Sequence, residues 1–139
     1  MFNRILVAVD LAYADPQSKV LSVAAELAGK SGAELRLVYV RYMVETAIPY
    51  IPAETLASDE RSAKAKLREL AAAMPIDQSK ISTDSPIGRA YSEVIAAAKD
   101  FEADLIVIGP HSPSMAKFLL GSDAGRIVHN AQVSVLVVR

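Results

Sequence analysis

Apolar side chains in this chain fall into two kinds of stretch that alternate along its length. One kind is short and almost unbroken: ILVAV at residues 5–9, LRLVYV at 35–40, LIVI at 105–108 and SVLVV at 134–138. Brief aliphatic and β-branched runs bounded by charged or turn residues read as strands covered on both faces, as in a parallel sheet. The other kind is longer and repeats at helical spacing. Val20, Val23, Ala24, Leu27 and Ala28 make one stripe over residues 16–30, with Asp15 as the expected N-cap, Pro16 in the first turn and Gly32 as the stop. Leu56, Ala63, Leu67, Leu70, Ala71 and Met74 share a broad face of a helix expected over 54–74, ended by Pro75, while its charged residues form a solvated face. Val94, Ile95, Ala97, Ala98 and Phe101 mark a third helix over 91–100, and a fourth is expected from 122 to about 130. Residues 80–83 form a short, weak strand that belongs at a sheet edge.

Five strands and four helices in alternation predict an α/β fold, a five-stranded parallel sheet with helices on both faces. This is a Rossmann-like three-layer sandwich, in which ligands bind at the carboxyl ends of the strands. No repeat, low-complexity segment or linker interrupts residues 1–139, so one domain is expected. Residues 41–53 (RYMVETAIPYIPA) lack a period and read as an ordered loop over the carboxyl edge. Its Tyr42, Met43, Ile48, Tyr50 and Ile51 suit a lid or a partner surface better than a cofactor box.

Candidate chemistry concentrates in LIVIGPHSPSMAKFLLGSDAGR, residues 105–126. A buried strand runs into Gly109, a Pro/Ser loop follows, and Gly121-Ser122 opens a helix, an arrangement that offers backbone N–H groups and a positive helix end to phosphate. Taken singly, Gly109 and Gly121 are also ordinary turn and helix-entry glycines, and Asp10 at the end of the first strand is equally suited to capping a turn. His111 and His129 are isolated, without a carboxylate at ligand spacing, so neither a catalytic constellation nor a protein-held metal is expected. Arg89, Lys117 and Arg126 are each either phosphate partners or solvated charges.

Composition narrows the partners. Hydrophobic residues make up 52%, charged residues 22%, and the net charge is -1, which argues against nucleic acid as the main partner. Cysteine is absent, so disulfides, thiolate metal sites and a cysteine nucleophile are excluded. The apolar start at 5–9 is too short for a signal peptide, and no later run reaches spanning length, so no membrane association and a cytoplasmic location are expected.

Several nucleotide signatures are missing. There is no G-x-x-x-x-G-K-[ST] loop, and Asp10-Leu11-Ala12-Tyr13 stands where a dinucleotide fold needs G-x-G-x-x-G. A phospho-acceptor receiver would need clustered acids at its strand ends, and only Asp10 is available.

The ordered motifs ILVAVD, LRLVYV, IGRA, IVIGPH, LLGSDAGRIV and SVLVVR resemble the universal stress protein family over nearly the whole chain. The chain is especially similar to members with a proline-containing loop after the fourth strand. The resemblance implies an adenine nucleotide alpha-hydrolase-like fold and a regulator or sensor in the stress response. It also implies binding of ATP, or of AMP or ADP, with Mg or Mn as the accompanying cation. ATP-binding relatives carry Gly, two residues, Gly, nine residues, Gly, then Ser or Thr. Here Gly109 and Gly121-Ser122 match, Ser112 replaces the middle glycine, and the second gap is one residue short. Pro110 and Pro113 lack N–H groups, so the cradle would rely on His111, Ser112, Ser114, Gly121 and Ser122.

Residue by residue, the resemblance implies that Asp10 meets the adenine and ribose end and that Val40 hydrogen-bonds the base through its backbone. Gly109, Pro110, His111 and Ser112 would follow the ribose and phosphates, and Gly121, Ser122, Asp123 and Ala124 would hold the distal phosphates. Ala8, Val9 and Gly88 complete the expected nucleotide-binding set, Ala8 standing where relatives often have proline. The resemblance further implies a homodimer through the terminal strand that begins at Val133 and ends at Val138; read by itself, that strand is an edge of the sheet. A nucleotide-free interaction module of the same fold is the alternative. An ATP pyrophosphatase is disfavoured because no S-G-G-x-D-S-like loop follows Val9.

Overall fold

Strands β1 (Arg4–Ala8), β2 (Glu34–Val38), β3 (Ile81–Asp84), β4 (Leu105–Ile108) and β5 (Ser134–Val137) form one parallel sheet in the order β3-β2-β1-β4-β5 in a computed structural model. The structure describes residues 1–11, 18–41, 52–109 and 122–139, with Ser122 described only as backbone. Helices α1 (Lys19–Ser31), α2 (Ala53–Ala73), α3 (Ala90–Asp100) and α4 (Ser122–Asn130) accompany the strands, and a short 3-10 turn at Gln78–Lys80 precedes β3. The weak strand is at one edge and the terminal strand at the other, as their sequences predict.

Alternation along the buried strands divides their side chains between two cores. Ile5, Val7, Leu35, Leu37, Leu105 and Val107 meet Leu21, Ala24 and Ala28 of α1 and Leu67, Leu70 and Ala71 of α2. Leu6, Val38, Ile106 and Ile108 turn the other way, against Val94, Ala97, Ala98 and Phe101 from α3 and its end and Ala124 and Ile127 of α4. Apolar area removed from water on both faces is the main term holding the three layers together, at about 25 cal/mol per Å².

Helix ends show where local signals were read differently by the fold. Ser18 has φ -59 and ψ 144, and its hydroxyl accepts from the Leu21 N–H, so α1 begins at Lys19 rather than at 16. Asp15 and Pro16 lie outside the described residues. Gly32 ends α1 with φ 66, and both its N–H and that of Ala33 donate to the Ala28 carbonyl. At the end of α3 the same left-handed position is held by Glu102, φ 55, whose N–H donates to Lys99 O at 3.1 Å while Ala103 N–H donates to Ala98 O at 2.8 Å. That is a Schellman termination built on a non-glycine residue.

At the amino-terminal edge of the sheet, Phe101 lies near two arginines, with the Arg36 guanidinium 4.4 Å and that of Arg4 5.7 Å from its ring centroid. Arg4 also donates to Phe101 O at 3.1 Å, tying β1 to the end of α3.

Candidate functional site

The chain leaves β1 toward β2 through α1 and returns to β4, on the other side of β1, before α4. Because α1 packs on one face of the sheet and α4 on the other, the carboxyl ends of β1 and β4 form the topological switch point, the place where open α/β sheets bind ligands in a crevice. The register pairs Val7 with Val107, which brings residues 8–10 alongside Ile108 and Gly109.

Ala8 and Val9 are half-buried against the two cores, and Asp10 is exposed at the rim. Gly109 is half-buried, and a Cβ built there would be 3.6 Å from Val20 Cγ2, an ordinary contact. Helix α4 starts at Ser122, so the N–H groups of Ser122, Asp123 and Ala124 belong to its first turn, where no intrahelical carbonyl is available to them. Asp123 is exposed, whereas the Ala124 side chain packs into the second core. Of the expected set, Pro110, His111, Ser112 and Gly121 lie outside the described residues, as do Lys117 and residues 42–51.

Val40 gains its character from where β2 stops. The strand ends at Val38, two residues short of the apolar run, because Val9 N–H makes its bond to Val38 O at 2.9 Å and β1 itself ends at Ala8. On the opposite side pairing continues: Tyr39 N–H donates to Asp84 O at 3.1 Å, Arg41 N–H to Pro86 O at 2.8 Å and Gly88 N–H to Arg41 O at 3.1 Å. In a parallel ladder each residue directs both its N–H and its C=O to the same neighbour, and successive residues alternate. Tyr39 and Arg41 therefore face the segment after β3, and the Val40 peptide edge faces the β1 side, where among the described residues no strand residue stands opposite it.

Residues 85–88 are held on this extension. Arg41 Nε and Nη2 donate to Ser85 O at 3.1 and 2.8 Å, and Nε also lies 3.2 Å from Ser85 Oγ. Ser85, only 4% exposed, is the one buried polar residue among the described residues. Glu60 on α2 is held below the usual carboxylate range first by its hydrogen bond to Lys64, then by the Lys64 charge and that of Arg41. Gly88 then turns the chain into α3 with φ 156, its Cα facing Glu93.

Sequence reasoning missed Arg41 and Ser85, and their types carry no signal, since a cation after a strand and a serine before a proline are commonplace loop residues. Of the candidate phosphate partners, Arg126 lies over the Tyr91 ring, 5.1 Å from its centroid, and Arg89 is exposed at the N-cap of α3. Among the described residues no cluster of His, Asp and Glu could hold a metal by itself, and no helix is long and apolar enough to cross a membrane. A groove of about 600 Å³ runs between α1 and the end of α2, lined by Leu21, Ala25, Gly29 and Met74.

The family model described as Universal stress protein family matches residues 1–139. A protein of Coxiella burnetii named Universal stress protein A homolog 1 is 34% identical over 144 residues, covering 99% of this chain and 96% of that one. Two solved structures share the fold. One, a universal stress protein in complex with cAMP, is 20% identical with a TM-score of 0.72, over 99% of this chain and 97% of the other. The second, from Archaeoglobus fulgidus in complex with dAMP, is 20% identical with a TM-score of 0.59, over 99% and 98%.

Proposed function

Because the chain belongs to the universal stress protein family, we propose that it binds ATP or a related adenine nucleotide in the crevice between β1 and β4 and acts as a regulator or sensor in the stress response. The observation that carries this reading is the Val40 peptide edge turned toward that crevice. A backbone N–H beside a C=O complements the ring-nitrogen acceptor and exocyclic amino donor of adenine, and few other bases present that pair in that order. Asp10 at the rim suits a ribose hydroxyl. The first-turn N–H groups of α4, with the positive end of its dipole, suit the distal phosphates, together with Gly109, His111, Ser112 and Gly121 from the intervening segment.

The described residues fit a magnesium ion that arrives with the nucleotide. Asp123 lies in the first turn of α4, and magnesium is commonly held by phosphates, water and one or two carboxylates rather than by a protein cage. Bound there, the cation would offset repulsion between Asp123 and the phosphates. The relatives solved with cAMP and dAMP support an adenine ligand.

We further propose that two copies pair through β5, whose second edge has no partner among the described residues. Calorimetric titration of the purified protein with ATP and magnesium, and mass spectrometry of nucleotide released on heating, test the ligand. Saturable ATP binding that Gly121→Trp removes while leaving the dimer intact is expected. No released adenine nucleotide and no heat of binding would sink the nucleotide reading in favour of a nucleotide-free interaction module.

A further inference from the structure

We infer that Arg41 sets the base selectivity of this crevice without touching the nucleotide, by holding residues 39–41 extended against residues 85–88 so that the Val40 peptide edge stays turned to the ligand. This rests on the nucleotide reading proposed above. Strands β2 and β3 end at Val38 and Asp84, yet their pairing is prolonged by an isolated bridge between Arg41 and Ile87. Arg41 supplies its fastening at both ends. Its backbone exchanges bonds with Pro86 O and the Gly88 N–H, and its guanidinium closes on the buried Ser85 through the carbonyl and the hydroxyl.

The Ser85 carbonyl needs these donors, because a buried acceptor left unmet costs more than the bond itself contributes. A planar fork can serve both Ser85 oxygens while the backbone of the same residue stays extended; an ammonium group cannot reproduce that geometry. Peptide edges alternate with a period of two, so a slip of one residue in this segment would swing the Val40 edge toward the β3 side. Adenine would then lose its matched donor and acceptor, while the phosphate contacts on α4, which arise from a different part of the fold, would be untouched.

That separation gives the test. Affinities of ATP, ITP and inorganic tripolyphosphate are measured by calorimetry for the unaltered protein, Arg41→Met and Arg41→Lys. ITP carries an acceptor and a donor where ATP has the reverse, so the unaltered protein should prefer ATP by about tenfold or more. Arg41→Met should lose most of that preference through weaker ATP binding, with ITP and tripolyphosphate changed by less than about twofold, and Arg41→Lys should recover only part of it. A merely structural role predicts something else. Equal weakening of all three ligands, or an ATP-to-ITP ratio kept in Arg41→Met, would overturn the inference. Should Arg41→Met fail to fold, the same ratio in Arg41→Lys decides. Absence of ATP binding by the unaltered protein removes the nucleotide reading and this inference with it, whereas binding with an unchanged ratio removes only the inference.

Discussion

A methyl group at Gly88 would lie 2.5 Å from Oε1 and 2.6 Å from Cγ of Glu93, at a backbone φ of 156 that side chains rarely adopt. Gly88→Ala should therefore cost about 1–3 kcal/mol, read as a lower urea midpoint. Combining it with Glu93→Ala should return only the steric part and leave the backbone part. Gly109 contrasts with this, since among the described residues a Cβ there meets nothing closer than Val20 Cγ2 at 3.6 Å. A different residue-scale effect is set by pH. Asp77 accepts from the Ser79 hydroxyl at 2.8 Å and from the Ser79 N–H at 3.0 Å, and these bonds, the hydroxyl first, hold its carboxyl below the usual range. A depressed folded-state pKa gives stability that is present above the unfolded value and disappears as pH falls through the folded one. The difference in urea midpoint between the unaltered protein and Asp77→Asn should thus be present at pH 7 and shrink below about pH 4.

At the scale of elements, the left-handed endings of α1 and α3 are made by different residues. Gly32 enters the left-handed region freely, while Glu102 at φ 55 pays the steric cost of a Cβ in it. Its ion pair with Arg4, at 3.2 Å, leaves the Glu102 side chain 80% exposed, where such pairs contribute little. Glu102→Gly should accordingly raise stability by about 0.5–1 kcal/mol, visible as an increase in Tm, with helix content unchanged. The cap at the start of α1 carries the complementary lesson. Asp15 and Ser18 are both good capping residues, and a hydroxyl three residues before Leu21 is the one that meets its N–H.

For the molecule as a whole, the proposed dimer has a specific backbone signature. Val138 N–H donates to Ile108 O at 2.8 Å, so by alternation Ser134 and Leu136 also bond to β4 while Val135 and Val137 direct their peptide edges outward. Val135→Pro removes an outward N–H without breaking a bond to β4. Sedimentation should show monomer for this variant, with far-ultraviolet circular dichroism retained. A dimer that survives the change would place the interface elsewhere.

Much of this organisation was legible along the chain because it is local. LIVI at 105–108 could be read as a buried strand, Pro75 as the end of α2, and the weak run at 80–83 as an edge, since periodicity, breakers and side-chain type act within a few residues. The ordered motifs from ILVAVD to SVLVVR, matched in type and order over nearly the whole chain, likewise sufficed for the family even though the spacing between Gly109 and Gly121-Ser122 departs from its signature. What only the tertiary structure decided depends on partners distant in sequence. Arg41 and Ser85 are 44 positions apart, and neither announces the other. Nor does an apolar run from 35 to 40 reveal that β2 stops at Val38, because that end is set by where β1 departs. Parallel strands pair across long connections and take their peptide-edge alternation from those pairings, so the direction of the Val40 edge belongs to the assembled sheet.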